Sequence, residues 1–293
     1  MPVSKFLLLK LISALPDSWR TTISRLRWHH PGLNRIVAYA AQQIRQSDLI
    51  IQEGIGRGLR FNSGGSAARF IIGSSQFLEQ LALRALITEG MNFYDIGANV
   101  GFFAVIAARL LGPSGRVICF EPLPRNFRQL RYNSGLNGFN NIEVIEAALG
   151  NFDGETEFWT SAEPTWGKLA GTGKYPDKMN GRIKVALKRL DAIIEEASLP
   201  PPDVIKIDVE GAEVDVLKGA MKTLSKYRPS LLIELHGTNE AVGNLLWQAS
   251  YKSAVIGDSA PIAKAHWNAS VLAIPVDSVW PADFSSLVAN VSA

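Results

Sequence analysis

Asp95-Ile96-Gly97-Ala98-Asn99-Val100-Gly101 sets an acid, an amide and two glycines between an apolar run and an apolar helical pattern. Gly97 and Gly101 permit a sharp bend and a close approach of backbone to a ligand. The helix that follows offers free N–H groups and the positive end of its dipole. The dinucleotide fingerprint G-x-G-x-x-G needs a third small residue where Phe102 and Phe103 stand, and it has no acid before its first glycine. An acid at this point suits a cationic or amine-bearing ligand rather than a pyrophosphate. Reading Asp95 as a plain helix N-cap is the weaker alternative.

Further acids recur at the ends of apolar runs. Glu121 stands 20 residues after Gly101, where a carboxylate can accept hydrogen bonds from both hydroxyls of an adenosine ribose. S-adenosylmethionine, with an ammonium, a sulfonium and a ribose, answers both Asp95 and Glu121. In Lys206-Ile207-Asp208-Val209-Glu210-Gly211-Ala212-Glu213, an extended backbone puts Lys206, Asp208 and Glu210 on one face. Charges at successive same-face positions of an apolar strand belong at its functional end, because burying them unpaired is expensive. Glu234 and His236 end the next apolar run. His236 is the candidate general base, since imidazole titrates near neutrality; Asp208 is the alternative base or the group that orients it. Asp208, Glu210, Glu234 and His236 also form a candidate oxygen-rich set for magnesium, which would lower the acceptor hydroxyl pKa; the favoured alternative is that the same carboxylates bind acceptor hydroxyls instead.

The elements that must position these residues follow from the pattern. Strands are predicted over 92–96, 116–120, 142–147, 204–208 and 230–236, with two more near 253–256 and 270–274. Helices are predicted over 76–89, 101–111, 124–137, 213–224 and 239–250. Strands alternating with helices predict a doubly wound, mostly parallel α/β sheet with the ligand crevice at the carboxyl ends of the strands. A hairpin or lid over 49–75 precedes a core domain over 76–277. Within it, 151–185 reads as an insertion dominated by a long loop, with strand-like Glu155–Trp159. Trp159, Trp166 and Tyr175 lie in or beside that insertion and are candidates for acceptor stacking; Lys168, Lys174 and Lys178 read as a solvated face.

Residues 1–48 read as helices broken near Pro16 and His29-His30-Pro31-Gly32, and 278–293 as a tail. Phe6–Leu15 is a poor signal peptide because Lys10 interrupts it; an amphipathic helix on the domain surface, in a dimer contact or against a membrane fits better. Among 293 residues, 47% are hydrophobic and 19% charged, which describes an ordinary globular chain. A net charge of +3 is too slight to argue for nucleic acid. The lone Cys119, in an apolar run, excludes an intramolecular disulfide and reads as a buried thiol. No run of eighteen apolar residues spans a membrane, and a cytoplasmic location follows as the default.

Asp95–Gly101, Phe120-Glu121-Pro122, Ala147-Ala148-Leu149-Gly150, Lys206–Glu213, Leu217-Lys218-Gly219-Ala220 and Glu234-Leu235-His236 together resemble the FkbM family of S-adenosylmethionine-dependent methyltransferases, from about Gly54 to Pro275. The resemblance implies a seven-stranded sheet with one antiparallel strand, and O-methylation of a sugar or natural-product hydroxyl. It implies that Asp95, Gly97, Ala98, Asn99 and Gly101 hold the methionine part of the donor, that Glu121 holds the ribose, and that Ala147 lies by the adenine. Two departures stand out. Lys188-Arg189-Leu190-Asp191 replaces the usual Thr-Leu-Asp, and the first 48 residues and the 160–180 loop match no family pattern, which leaves the acceptor open. A nicotinamide-dependent oxidoreductase shares the fold and Glu121 but lacks the third small residue; a non-catalytic cofactor-binding or interaction module is argued against by the intact strand-end acids.

Overall fold

The computed structural model describes residues 47–64, 69–161, 167–169, 179–282, 284 and 287. The predicted helices of 1–48, His29 and His30, Trp166, Tyr175, Lys174, Lys178 and nearly all of the tail beyond 282 lie outside them.

A hairpin, β1 (Leu49–Ile50) and β2 (Arg60–Phe61), precedes the short helix α1 (Arg69–Ile72) and α2 (Phe77–Leu86). The alternation then begins with β3 (Asn92–Ile96), α3 (Phe102–Leu111), β4 (Arg116–Phe120), α4 (Pro124–Leu136) and β5 (Ile142–Ile145). After β6 (Ala148–Leu149), β7 (Gly154–Ser161), β8 (Gly167–Leu169) and β9 (Met179–Lys188) come α5 (Leu190–Glu196) and β10 (Val204–Ile207). The chain continues through α6 (Glu213–Lys218), α7 (Met221–Tyr227), β11 (Ser230–Glu234), α8 (Asn239–Gln248), β12 (Tyr251–Val255) and β13 (Ser270–Pro275).

Seven strands form one sheet in the order β12-β13-β11-β10-β3-β4-β5, with β13 antiparallel to both neighbours and the remaining pairs parallel. This is the doubly wound architecture the sequence predicts. Winding reverses between β3 and β10, so the crevice opens beside the loop after Ile96. Both faces are covered, as a parallel sheet of continuous apolar strands requires. Phe93, Val117, Val204 and Leu232 pack with α2 and α3 on one face; Tyr94, Ile118, Ile205 and Ile233 pack with α5, α6, α7 and α8 on the other. Asp95 and Lys206 are register partners, so both point to the α3 face.

Three elements differ from the sequence expectation. The strand-like Glu155–Trp159 lies within β7 as expected, but where a long loop is expected after it, β9 pairs antiparallel with β7 within a four-stranded sheet, β6-β9-β7-β8. Arg182-Ile183-Lys184-Val185-Ala186-Leu187 carries the period of two: Phe158, Val185 and Leu187 are buried against Leu123, Ala148 and Ala212, and Arg182 and Lys184 pair with Glu157 and Glu155 on the outer side. Strand three ends at Ile145, because Ala148 crosses to pair with Leu187. The helix over 213–224 divides at Gly219-Ala220. A Cβ on Gly219 would lie 1.9 Å from the Gly150 carbonyl oxygen, and Asp191 caps the second piece through Lys222 N–H, Thr223 N–H and Thr223 Oγ1. The departure at Lys188-Arg189 thus leaves the structural work of Asp191 in place.

Candidate active site

The loop after β3 is built by left-handed backbone at three positions, Gly97 (φ 82°), Asn99 (φ 51°) and Gly101 (φ 84°). Gly97 and Ala98 N–H both donate to the Phe120 carbonyl at 3.0 and 3.2 Å, fastening the loop to the end of β4. The glycines are also required by the protein's own packing. A Cβ on Gly97 would sit 1.9 Å from the Asp208 carbonyl oxygen, and one on Gly101 would sit 2.7 Å from Leu130 Cγ. Gly97→Ala is therefore expected to lose roughly 2–4 kcal/mol of stability from strain and overpacking together. Urea unfolding checks this: an unchanged midpoint would show that the loop yields freely.

Asp95 is 1% exposed, and neither carboxylate oxygen has a hydrogen-bond partner. Its nearest cation is Lys206 Nζ at 4.0 Å. Burial, only partly opposed by Lys206, pushes the Asp95 carboxyl up to about 6. Two buried acceptors without donors are what an incoming ammonium would satisfy, so Asp95 fits the methionine end of S-adenosylmethionine. Glu121 differs. Its Oε2 accepts Asn99 N–H at 2.8 Å, and its Oε1 accepts Leu123 N–H at 2.9 Å and Asn126 Nδ2 at 3.3 Å. Burial outweighs these bonds and moves its carboxyl up to about 7. Glu121 thus locks the loop to α4, and three accepted bonds leave a carboxylate's remaining lone-pair capacity for a hydroxyl. Ala147, 4% exposed, sits at the crossing from β5 to β6.

The second group lies across β10 and β11. Lys206 Nζ is 3.1 Å from Asp208 Oδ2 and 4.8 Å from the Phe103 ring centre. His236 Nδ1 is 2.9 Å from Glu213 Oε1; its Nε2 faces Glu210 Oε2 at 3.6 Å and Glu234 Oε1 at 4.0 Å. The fully buried Glu213 also accepts Gly211 N–H at 2.8 Å and Thr238 Oγ1 at 2.7 Å. It holds the imidazole with Nδ1 inward and Nε2 toward the strand ends. Burial disfavours the imidazolium, but the Glu213 hydrogen bond and the Glu210 and Asp208 charges outweigh it and raise His236 to about 9. Burial, reinforced by Asp208, raises Glu234 to about 8, and Glu234 Oε2 accepts Gln76 Nε2 at 2.5 Å. Glu210 reaches this cluster with left-handed backbone (φ 54°) ahead of Gly211 (φ 102°), a strained arrangement of the kind found at functional sites.

Asp208, Glu210 and His236 are thus brought together, and the contact between Gly97 and the Asp208 carbonyl joins this cluster to the loop. Asp208, Glu234 and His236 place ligand atoms within 4.8 Å of one another. The Lys206 ammonium, 3.1 Å from Asp208 Oδ2, competes with a cation for that carboxylate. The orienting role of Glu213, the bonds from Thr238 and Gln76, and the ring of Trp267, 6.4 Å from that of His236, escape the sequence reading. These pairs are remote in the chain, and only the Glu213 position in an acidic run hinted at one of them. Trp159, a stacking candidate, has Arg182 over its ring at 4.0 Å.

Known proteins resemble this chain over the same region. The model of the methyltransferase FkbM domain matches residues 95–254, more than half of the chain. The hexuronic acid methyltransferase AglP of Haloferax volcanii is 28% identical over 183 residues, covering 59% of this chain and 72% of that protein. The 2-O-methyltransferase NoeI of Sinorhizobium fredii is 34% identical over 146 residues, covering 46% of this chain and 59% of that protein. The FkbM methyltransferase of Streptomyces tacrolimicus is 26% identical over 221 residues, covering 64% and 85%. With this span of matching sequence, the chain belongs to the FkbM family of S-adenosylmethionine-dependent methyltransferases.

Proposed function

We propose that this protein methylates a hydroxyl oxygen of a saccharide or a hydroxylated natural product. Asp95, Gly97, Ala98, Asn99, Gly101, Glu121 and Ala147 surround the donor, and His236 removes the acceptor proton. The observation that carries the reading is the 2.9 Å hydrogen bond between His236 Nδ1 and its acceptor Glu213 Oε1, which leaves Nε2 facing Glu210 and Glu234 at the strand ends. Relatives named for acting on a hexuronic acid and at a 2-O position support an oxygen acceptor.

S-adenosylmethionine supplies a methyl group on a sulfonium already primed for in-line displacement. The residues therefore contribute orientation and proton removal. Asp95 holds the cationic end of the donor. Glu121 keeps the loop closed on α4 and receives a ribose hydroxyl. Asp208, fixed by Lys206, presents a carboxylate between donor and acceptor. His236 takes the acceptor proton on Nε2, and Glu213 stabilises the resulting imidazolium through Nδ1–H. Glu210 and Glu234 accept neighbouring acceptor hydroxyls. The hairpin β1–β2, tied to α4 through Asn62, Asn133 and Asn137, serves as a wall beside the donor. A cytoplasmic location is part of the proposal, because the reaction draws on the cell's soluble S-adenosylmethionine.

The test is calorimetric titration with S-adenosylhomocysteine and, separately, NAD, followed by transfer of tritiated methyl from S-adenosylmethionine to a panel of methyl glycosides and polyhydroxylated macrolides. Heat with the first ligand, none with NAD and label on an acceptor oxygen are expected. Binding of NAD, or label appearing only on nitrogen or carbon, would overturn the reading.

A further inference from the structure

The strand order divides the carboxyl edge of the sheet in two. The donor loop, Glu121 and Ala147 follow β3, β4 and β5, whereas His236 and the segment from Ile256 to Ala269 lie on the β11-β13-β12 side. That segment carries Trp267, 56% exposed although its ring stands edge-on to a His236 that is only 10% exposed. Large aromatic side chains left open beside a buried titratable group are unusual on a water-soluble surface, because their burial contributes strongly to folding. Trp267 is open and yet firmly held. Its carbonyl accepts Gly237 N–H at 2.7 Å, and Ala269 O accepts Leu235 N–H at 2.9 Å. Asn239 Nδ2 contacts the Ile262, Ala265 and His266 carbonyls at 3.3, 3.0 and 3.2 Å. His266, whose ring lies 5.9 Å from that of Trp267, is itself fixed by Asn268. On this fixed backbone the indole is an exposed, flat apolar face beside a cluster rich in hydrogen-bond acceptors.

We propose that Trp267 is the acceptor platform and that it selects a pyranoside. This rests on the methyl-transfer reading above. A pyranose presents an apolar C–H face and a polar hydroxyl rim at right angles. Stacked on Trp267, its C–H face covers the indole while its rim turns toward His236 Nε2, with Glu210 and Glu234 as acceptors for neighbouring hydroxyls. A linear polyol has no such face.

The probes are methyl α-D-glucopyranoside and methyl α-L-rhamnopyranoside, with sorbitol as the linear polyol, offered to protein saturated with S-adenosylhomocysteine. Binding is read by saturation-transfer NMR on the sugar C–H protons. The wild type and Trp247→Ala, which changes an exposed tryptophan on α8, are expected to give the same glycoside affinity. Trp267→Phe keeps most of it, and Trp267→Ala loses roughly 10- to 100-fold, the range for stripping an aromatic contact. Sorbitol gives no signal. Equal glycoside affinity in Trp267→Ala, or no glycoside contact in the wild type, overturns the proposal. So does a Trp267→Ala change confined to the pH dependence of turnover, which would make Trp267 a cover for His236. Donor-product binding is measured calorimetrically on the same samples, so loss of the donor site, which would defeat the methyl-transfer reading, is told apart from loss of the acceptor platform.

Discussion

Asp95→Asn weakens the binding of S-adenosylhomocysteine by roughly 100-fold or more, without lowering the stability of the fold. The first half follows from leaving a buried cation without its counter-charge, which costs several kcal/mol. Lys206 cannot compensate, because it carries the same sign as the ligand's ammonium. The second half follows from the sign of the Asp95 shift. Burial raises its folded-state pKa to about 6, above the unfolded value, so the unfolded chain releases this proton more readily. The group destabilises the fold as pH rises from the unfolded pKa through 6. An asparagine removes that penalty, and Lys206 keeps Asp208 at 3.1 Å. Calorimetry and urea unfolding at pH 7 read the two effects separately. Lost binding with a large fall in unfolding midpoint would make Asp95 a structural residue and remove it from the donor site.

His236→Gln lowers kcat by about 10²–10⁴, the range for removing a positioned general base, while S-adenosylhomocysteine binds as before. The pH profile is the sharper test. His236 accepts a proton only when neutral, and in the free protein it holds its own proton up to about 9, alongside Glu234 at about 8. The rate at low donor and acceptor concentrations should therefore climb with pH through 8–9 and level off above. Placing a cation at Asp95 opposes the imidazolium, so the limb measured at saturation falls at lower pH than the limb of kcat/KM. Glu213→Gln removes the strongest contribution raising His236. It should shift the kcat/KM limb acidward by about one pH unit, 1.4 kcal/mol of lost interaction, with a modest loss of kcat. A flat wild-type profile from pH 6 to 10, or a His236→Gln enzyme of near-normal turnover, would transfer the base role to Asp208.

Much of this was readable in one dimension. Apolar runs ending in acids located β3, β4, β10 and β11, and helix-connected strands place such ends on one edge by topology alone. Asp95 and Lys206 could be assigned to strand ends, but their pairing required knowing that β3 and β10 are neighbours. Glu213 and His236 are 23 residues apart, and nothing in either local pattern announces the bond. Gly97 shows the converse difficulty: the glycine is legible, but its reason, a carbonyl 111 positions on, is not. Glu155–Trp159 is legible and falls within β7, whereas its partner β9 is hidden because glycines and charges dominate the region, although Arg182–Leu187 alternates correctly for a half-buried strand. Trp267 has no periodic context; a single aromatic in a polar stretch carries no signal until its neighbours are known.

The reversed direction of β13 has a consequence for how such a protein can diversify. Six strands of the sheet run one way, and each return between them must cross the full depth of the domain. The return from β12 to β13 does not: both its ends emerge at the carboxyl edge, so the segment between them is a surface detour with no crossover to preserve. Residues can be added, deleted or exchanged there at small entropic cost, leaving the buried strands and the far half of the edge untouched. With Trp267 as the proposed acceptor platform, a descendant gene trades one acceptor for another by rewriting this segment alone, with its methyl-donor chemistry inherited intact.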